Sequence, residues 1–575
     1  MPLNSSPRAT LARLAPLIAA AATLLAYAAV SSFQFVYDDE GQIVHDLFVQ
    51  QWRFVPAYFT SHVWQWVFPH VAGNYYRPLF LLWLLLNFKA FGLHAAGWHL
   101  AALGLHLVVT WQVYRLAMRL LQNQAAAVMA ALLFGLHPVH IEAVAWVSGA
   151  TEPLVAIFIL AALLSYIAYR EDESRAGYAW TLLWFVLGLL TKETAVLVPP
   201  LLFAYDLIVR NRRGTLAGRA RAALIAMAPM AAIFAVYLGA RHHALGALSQ
   251  RAMDVSAKQN LLTIPSLLVF YARLLLWPAG LSAFYDTPYV TDVKAALLPA
   301  VVCLAAGVVL FFVLWRSRSR VAVFATVLLI LPLLPVMKLD IFLRGEIAHD
   351  RYLYLPSIGF VLLAGMLVRR LGELGLQRVA YAGCALLAVL YFAGTMTQSL
   401  YWADDLVLYA RGTQIAPNNL IARTDLANEL LKRGDRPGAM QQYRAVLQKD
   451  PFFWLARYNL GYAEYSANDC VAAARDLELA GRQNPSDPET FFYLGQCRAR
   501  LGDREQGLAL MRHGIELDPR MPNFRAALAD ELARSGDPGE LRAALELYRA
   551  EASGNPQHPT AAQRAAEVQS RLAGR

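Results

Sequence analysis

The stretch LAPLIAAAATLLAYAAV (Leu14–Val30) decides the fold class, and the acidic stretch FVYDDEGQIVHD (Phe35–Asp46) follows it closely. Similar apolar runs of about 17–25 residues, long enough to cross a hydrocarbon core, recur as far as Thr395. The 575 residues are 58% hydrophobic and only 16% charged, which excludes an ordinary soluble domain. The sequence therefore predicts an all-α, polytopic helical membrane domain over residues 1–400.

About eleven segments are predicted to cross the membrane, and the first is interpreted as a retained helix because no clean signal-peptide cleavage site follows it. With the N-terminus in the cytoplasm, the Arg-rich loops all lie on the cytoplasmic side, as the positive-inside rule requires. The odd number of crossings places the acidic stretch and the C-terminal tail together on the opposite face. Two more apolar stretches, Leu79–Phe91 and Leu261–Trp277, are expected to be interfacial or re-entrant helices on that face. The predicted spans are Leu11–Val30, Trp98–Met118, Ala125–Ile141, Pro153–Tyr169, Tyr178–Leu190, Ala195–Val209, Ala222–Leu238, Ala295–Leu314, Val321–Met337, Tyr354–Val368 and Val379–Thr395.

The net charge of +10 does not indicate a nucleic-acid partner, because the Arg residues fall in short loops where they orient a membrane protein. The four cysteines show no CxxC spacing, and two lie in apolar runs while two lie in the tail. They predict neither a zinc site nor a disulfide framework. The cysteines are Cys303, Cys384, Cys470 and Cys497.

The polar tail, residues 401–575, is periodic. Proline recurs every 34 residues, at 417, 451, 485 and 519, and the motifs KRGD, SAND, RLGD and RSGD end at 435, 469, 503 and 537. This is the period of tetratricopeptide repeats, each a pair of antiparallel helices. We expect an α-solenoid on the extracytoplasmic face, with repeats near 418–451, 452–485, 486–519 and 520–556. Its concave face is expected to bind an extended peptide, and the alternative is a scaffold for an oligomer.

The predicted outer face also collects most of the unusual polar side chains of the membrane domain. Ionisable residues near a membrane boundary are costly to desolvate and are therefore candidates for a functional site. Besides Asp38 and Asp39, the candidates are Arg77, His137, His140, Glu142, Lys192, Glu193, His349, Arg351 and Tyr352.

Five motifs in this order resemble a known family. FVYDDEGQI, YYRPL, HPVHIEAVAWVSGATEPL, LLTKET and RYLYLPSIGF, followed by the repeats, resemble the transmembrane and tetratricopeptide-repeat O-mannosyltransferases, which belong to the GT-C class of membrane glycosyltransferases. The resemblance implies transfer of a hexose, mannose first of all, from a polyprenyl-phosphate donor to Ser or Thr hydroxyls of proteins. Glu40 stands beside the acidic pair, so which two of the three acids act is open, with Asp38 and Asp39 favoured.

The chemistry of such a transfer fits these residues. A carboxylate can take the proton of the attacking hydroxyl, and cations can stabilise the phosphate that leaves. Arg77, Lys192 and Arg351 are the predicted phosphate-stabilising cations. His137, His140 and Glu142 are expected to orient the phosphate or to hold a divalent ion such as Mg²⁺ or Mn²⁺, with Asp39 and Glu142 as its ligands. No cofactor is required by the sequence.

Other interpretations stay open at this point. The alternatives are a transferase for a lipid or envelope glycan and a non-catalytic membrane scaffold whose repeats recruit envelope proteins. Single residues also have structural alternatives: His140 as a hydrogen-bonded core residue, Lys192 as an interfacial side chain and Arg351 as an interfacial anchor. The expected location is a bacterial inner membrane, with the site and the repeats in the periplasm.

Overall fold

The computed structural model describes residues 7–67, 73–210, 215–248, 253–342, 345–555, 558 and 560–574, with side chains described from Pro16 onward. Part of one Arg-rich loop, residues 211–214, lies outside the described residues, as does Pro556 of the predicted fourth repeat. The chain divides into two compact units, Met1–Asn419 and Leu420–Arg575. The domain boundary predicted after residue 400 stays a prediction.

The first unit is a bundle of helices, and no strand occurs among the described residues. This confirms the predicted all-α class. The helices are α1 Pro7–Ala26, α2 Val55–Tyr58, α3 Pro78–Phe91, α4 Ala95–Leu121, α5 Gln124–Leu136, α6 Ile141–Ala145, α7 Thr151–Asp172, α8 Arg175–Thr191, α9 Val198–Ala204, α10 Leu216–Leu245, α11 Ala257–Leu276, α12 Val293–Ser317, α13 Arg320–Ile330, α14 Pro356–Glu373, α15 Gln377–Ser399 and α16 Asp405–Ile415.

Among the described residues, seven helical stretches are long and apolar enough to cross a membrane, or eight if the bent pair around Pro138 forms one span. The predicted eleven crossings therefore stay a prediction. One of the seven is Ala257–Leu276, which the sequence analysis placed outside the bilayer, so its length and composition do not support that placement. The predicted span Ala195–Val209 is broken into a 3₁₀ turn, a short α-helix and a π-helix.

Two features of this bundle position the site. After α13 the chain continues in short 3₁₀ turns, Leu331–Leu333, Pro335–Met337 and Leu339–Ile341, and it re-enters a long helix only at Pro356. Helix α14 then packs against α13 at very short range. A Cβ added at Gly359 would lie 2.3 Å from the carbonyl oxygen of Ala325. Only glycine allows this approach, which holds the residues just before α14 beside the 3₁₀ turns.

The second unit consists of four helix pairs and a final helix. The pairs are Leu420–Lys432 with Arg436–Lys449, Trp454–Ser466 with Cys470–Gln483, Pro488–Arg500 with Arg504–Leu517, and Phe524–Ala533 with Pro538–Gly554; the final helix is Ala561–Ala573. This succession of helix pairs at the predicted period confirms the tetratricopeptide α-solenoid.

The four-residue motifs of the repeats each encode the turn inside a pair. The residue before the aspartate adopts a left-handed backbone, with φ of 89°, 62°, 99° and 72° at Gly434, Asn468, Gly502 and Gly536. The aspartate then caps the second helix: each side chain accepts a hydrogen bond from the backbone N–H three residues later, in all four repeats. Glycine or asparagine at the end of one helix and aspartate at the start of the next are the expected residues for such a turn.

Candidate functional site

A cavity of about 290 Å³ lies in the first unit, where the ends of several helices meet. Its wall contains six of the eleven residues that the sequence analysis selected. These are Asp38, Arg77, Lys192, Glu193, Arg351 and Tyr352. They come from four separate segments between the long helices, which explains why a pattern within any one segment cannot define the site.

The two adjacent aspartates face different surroundings. Asp38 is half-buried and lines the cavity. Asp39 is fully buried, and its Oδ1 accepts hydrogen bonds from the backbone N–H and the hydroxyl of Ser148 at 2.8 and 2.6 Å. Its Oδ2 accepts a bond from the backbone N–H of Val36 at 3.4 Å. Asp38 therefore faces the ligand space, while Asp39 anchors the acidic loop to the turn at Ser148.

A left-handed residue sets the direction of Asp38. Tyr37 has φ of 59°, and its N–H donates to Oδ1 of Asp405 at 2.8 Å. The ring of Tyr37 packs against Trp146, at 5.5 Å between centroids, and against Phe284, at 5.7 Å. After this turn follows a π-helix, Glu40–Val44, of which Gln42 lines the cavity. Glu40 belongs to that helix and not to the cavity wall.

A shared carboxylate joins two of the cavity's cations. Glu193 Oε2 lies 3.1 Å from Nη2 of Arg77, and its Oε1 lies 3.0 Å from Nη1 of Arg241. Arg241 also donates to the carbonyl oxygens of Asn74 and Leu248, at 2.7 and 3.1 Å. Because Arg241 is fixed by three acceptors, Glu193 is fixed too, and Arg77 is held at the cavity wall.

The other two cations have carboxylates of their own. Nζ of Lys192 pairs with Glu152, in the first turn of α7. The guanidinium of Arg351 pairs with Glu142, whose second oxygen accepts the backbone N–H of Arg351 at 2.8 Å. Nδ1 of His349 lies 3.5 Å from the same carboxylate. The predicted residues Glu142 and His349 thus support Arg351 from behind the cavity wall.

One side of the cavity is apolar. The 3₁₀ turns after α13 and the start of α14 supply this side, which faces the same space as the charged groups. A site with cations on one side and aliphatic or aromatic groups on the other suits a ligand with an anionic head and an apolar chain. The apolar residues are Pro332, Pro335, Val336, Ile341, Phe342 and Leu355.

His137 and His140 are fully buried and do not line the cavity. Nε2 of His137 lies 3.1 Å from the carbonyl oxygen of Leu275, and its Nδ1 accepts the N–H of Val139 at 3.3 Å. Nε2 of His140 lies 2.8 Å from the hydroxyl of Ser357. These contacts tie the bend between α5 and α6 to α11 and α14. A phosphate-orienting role for the two histidines stays a prediction that no contact here supports.

The divalent ion predicted at Asp39 and Glu142 does not fit this structure. The oxygens of Asp39 already accept three protein N–H or O–H groups, and those of Glu142 are bound to Arg351. No group of three or more His, Cys, Asp or Glu side chains suited to an ion occurs within the described part of the chain. The chemistry considered below uses no metal.

The sequence analysis missed three residues that organise the site. Glu152 and Ser148 lie inside the motif HPVHIEAVAWVSGATEPL and were therefore within reach, since that motif had been assigned to the outer face. Arg241 lies near the end of α10, in the sequence GARHHAL, and resembles an ordinary basic helix terminus. Because its partner Glu193 lies 48 residues earlier in the chain, no local sequence pattern predicts the pair.

The site predicts a pH dependence. Burial raises the pKa of Asp38 to about 7, with Arg351 lowering it and Asp39 raising it again. A carboxyl group that must accept a proton is inactive when protonated, so activity should fall about tenfold per pH unit below pH 7 and level off above it. Initial rates measured from about pH 5.5 to 8.5 check this. A rate that is flat or falls with rising pH would contradict it.

Comparison with known proteins finds relatives over most of this chain. A family described as dolichyl-phosphate-mannose-protein mannosyltransferase matches residues 76–239, which contain Arg77, Glu142, Lys192 and Glu193. A Caenorhabditis elegans protein O-mannosyl-transferase is 25% identical over 450 residues, or 76% of this chain and 63% of that protein. Human protein O-mannosyl-transferase TMTC1 is 26% identical over 499 residues, or 77% and 56%. The chain thus spans less than two thirds of the length of these two relatives.

A shorter match is closer in sequence. Mouse protein O-mannosyl-transferase TMTC2 is 31% identical over 210 residues, or 35% of this chain and 24% of that protein. Among solved structures, the tetratricopeptide protein YrrB is 21% identical with a TM-score of 0.25, over 29% of this chain and 84% of that one. The curated relatives confirm the predicted resemblance to the protein O-mannosyl-transferases, a class of membrane glycosyltransferases.

Proposed function

We propose that this chain, a relative of the protein O-mannosyl-transferases, transfers mannose from a polyprenyl-phosphate donor to Ser or Thr hydroxyls of protein acceptors. One observation carries the proposal: a single cavity holds a carboxylate with a pKa near neutrality, several cations and an apolar wall. The cations suit the donor's phosphate and the apolar wall suits its isoprenoid chain. Asp38 is the base in this proposal.

In the proposed reaction, Asp38 accepts the proton of the acceptor hydroxyl as that oxygen attacks the anomeric carbon. The bond between the anomeric carbon and the phosphate oxygen breaks, and its electron pair stays on the phosphate. Arg77, Lys192 and Arg351 stabilise the charge that develops there. Their carboxylate partners hold the three cations at the cavity wall before the donor arrives, so little reorganisation is needed during the reaction.

The proposed location is a bacterial inner membrane with the cavity on the periplasmic side. The Arg-rich loops support this orientation, because the positive-inside rule assigns them to the cytoplasm while the cavity residues fall in the loops of the opposite face.

The repeats are proposed to bind the protein acceptor. Tyr462 and Tyr493 lie on the first helices of successive repeats, with ring centroids 4.9 Å apart, and Tyr465 lies 5.1 Å from Tyr493. Asn459 donates to Asn428 of the preceding repeat at 3.0 Å. Half-buried aromatic rings next to amide groups suit a polypeptide, which offers both apolar side chains and backbone hydrogen-bonding groups.

A transfer assay tests the proposal. Membranes containing the chain, given labelled mannose on a polyprenyl phosphate, should label protein. A chain ending at Asn419 should lose at least about tenfold of its rate on a protein acceptor and less than about threefold on a short Ser/Thr peptide, because only the longer acceptor uses the repeats. Asp38→Asn in the full chain is the control for background label.

Each failure has its own meaning. If the label appears in a lipid or glycan and not in protein, the acceptor is a lipid or envelope glycan and the proposed protein acceptor is wrong. Equal losses on both acceptors would contradict acceptor binding by the repeats. No transfer of any lipid-linked sugar would favour the scaffold alternative.

A further inference from the structure

We propose that Asp405 is a positioning residue for Asp38: it holds the backbone of Tyr37 in the left-handed conformation that directs Asp38 into the cavity. This inference rests on the proposed function, in which Asp38 is the base. Asp405 is 368 residues away from Tyr37 in the chain, so no local pattern connects the two.

Tyr37 has an unusual backbone conformation. Its φ of 59° lies in the region that suits glycine and, to a lesser extent, asparagine and aspartate. A tyrosine there has its Cβ close to the following backbone and is intrinsically unfavourable. Such a conformation persists only when the surrounding structure determines it, and residues of this kind cluster at functional sites.

Residues at and before the start of α16 hold the backbone around Tyr37. Oδ1 of Asp405 accepts the N–H of Tyr37 at 2.8 Å, and the carbonyl oxygen of Ala403 accepts the N–H of Gln34 at 3.0 Å. Asp405 is buried, at 9% exposure, in the first turn of α16. A carboxylate at a helix N-terminus is stabilised in its charged form, and a charged acceptor binds an N–H more strongly than a neutral one.

The position of Asp38 depends on the conformation of Tyr37. A change of Tyr37 to an ordinary negative φ would rotate the chain about its N–Cα bond by roughly 120°. Asp39 is held by Ser148 and the ring of Tyr37 is packed between Trp146 and Phe284, so the residue between them would have to move. Asp38 would then leave the cavity, while the cations, held by their own carboxylates, would stay in place.

The proposal is tested by a comparison of three variants in the mannose-transfer assay with the full chain in membranes. Asp405→Ala removes the acceptor of the Tyr37 N–H and should lower kcat roughly 10- to 100-fold, while KM for the lipid donor changes less than about threefold. Asp405→Asn keeps an oxygen acceptor and should stay within about threefold of wild type. Asp404→Ala is the matched control, because Asp404 caps the same helix by accepting the N–H of Val407 at 3.1 Å.

A double-variant cycle separates positioning from general damage to the fold. Glycine adopts a positive φ without strain, so in a Tyr37→Gly background the further change Asp405→Ala should cost less than about threefold in kcat. An equal loss in both backgrounds would overturn the proposal. The proposal would also be overturned if Asp404→Ala lowered kcat as much as Asp405→Ala does.

A second readout does not depend on transfer. Carbodiimide coupling of glycine ethyl ester, followed by peptide mass spectrometry, measures how reactive the Asp38 carboxyl is. We expect the extent of labelling in Asp405→Ala to differ at least about twofold from wild type and Asp405→Asn. If wild type transfers no sugar but this difference appears, the positioning stands and the proposed function fails. Unchanged labelling of Asp38 overturns the positioning whatever the assay gives.

Discussion

Asp38→Asn is expected to reduce mannose transfer by roughly 10²- to 10⁴-fold, the usual contribution of a positioned general base. Asparagine has nearly the same shape as aspartate, so the variant should insert in the membrane and bind the lipid donor as wild type does. Its amide cannot take up a proton at neutral pH, which is why kcat should fall while KM for the donor is conserved.

Asp39→Asn should behave differently, although the two residues are neighbours. Its Oδ1 accepts both the N–H and the hydroxyl of Ser148, and an amide oxygen can accept the same two bonds. We expect a loss of about tenfold or less, since the two bonds from Ser148 survive and only the 3.4 Å bond from the Val36 N–H to Oδ2 is lost. Asp39→Ala should cost more, because it leaves the buried groups of Ser148 without their acceptor.

The measurement is kcat and KM for labelled donor with Asp38→Asn, Asp39→Asn and the two together. A larger loss in Asp39→Asn than in Asp38→Asn would reverse the assignment of the two acids. Glu40→Gln is the matched control for the charge of this loop. Because Glu40 does not line the cavity, its variant should stay within about threefold of wild type.

The second large effect is expected at Arg351. Glu142 is 1% exposed, so Arg351→Gln would leave a buried carboxylate without its partner. Breaking such a pair costs about 3–5 kcal/mol of stability. We expect a clearly lowered unfolding temperature in detergent together with loss of transfer, and the single variant cannot separate the two causes.

The paired variant Glu142→Gln/Arg351→Gln separates them. Neutralising both partners removes the buried unpaired charge, so most of the lost stability should return. Transfer should not return to the wild-type rate, because the phosphate would still lack the charge of Arg351, one of its three cations. Recovery of both properties would mean that Arg351 has a purely structural role. The ion pair Arg369–Glu373 is a control for exposed surface pairs, and its loss should leave the unfolding temperature nearly unchanged.

The repeat unit was predictable from the sequence because its determinants are local. Each motif such as KRGD places a left-handed residue and a helix-capping aspartate next to each other, and both act within three residues along the chain. The period then follows from repeating this turn. The spacing of 34 residues therefore predicts nearly the complete architecture of the unit.

The cavity was predictable only in outline. The positive-inside rule predicted that the polar motifs share one face, and six of the selected residues line one cavity. The rule says nothing about which side chain turns inward, so the different roles of Asp38 and Asp39 and the burial of His137 could not be derived. Contacts such as those of Arg241 with Glu193, or of Asp405 with Tyr37, join residues that are distant in sequence.

The ion pairs of the cavity affect the release of the product. Glu193, Glu152 and Glu142 each hold at least one of the cations that would meet the departing phosphate. In the proposed reaction these carboxylates compete with the spent lipid phosphate for the same cations. Unpaired cations would retain that dianion and favour product inhibition, whereas internal counterions lower its residence time. The three glutamates would thereby lower the affinity for the donor and raise the turnover rate.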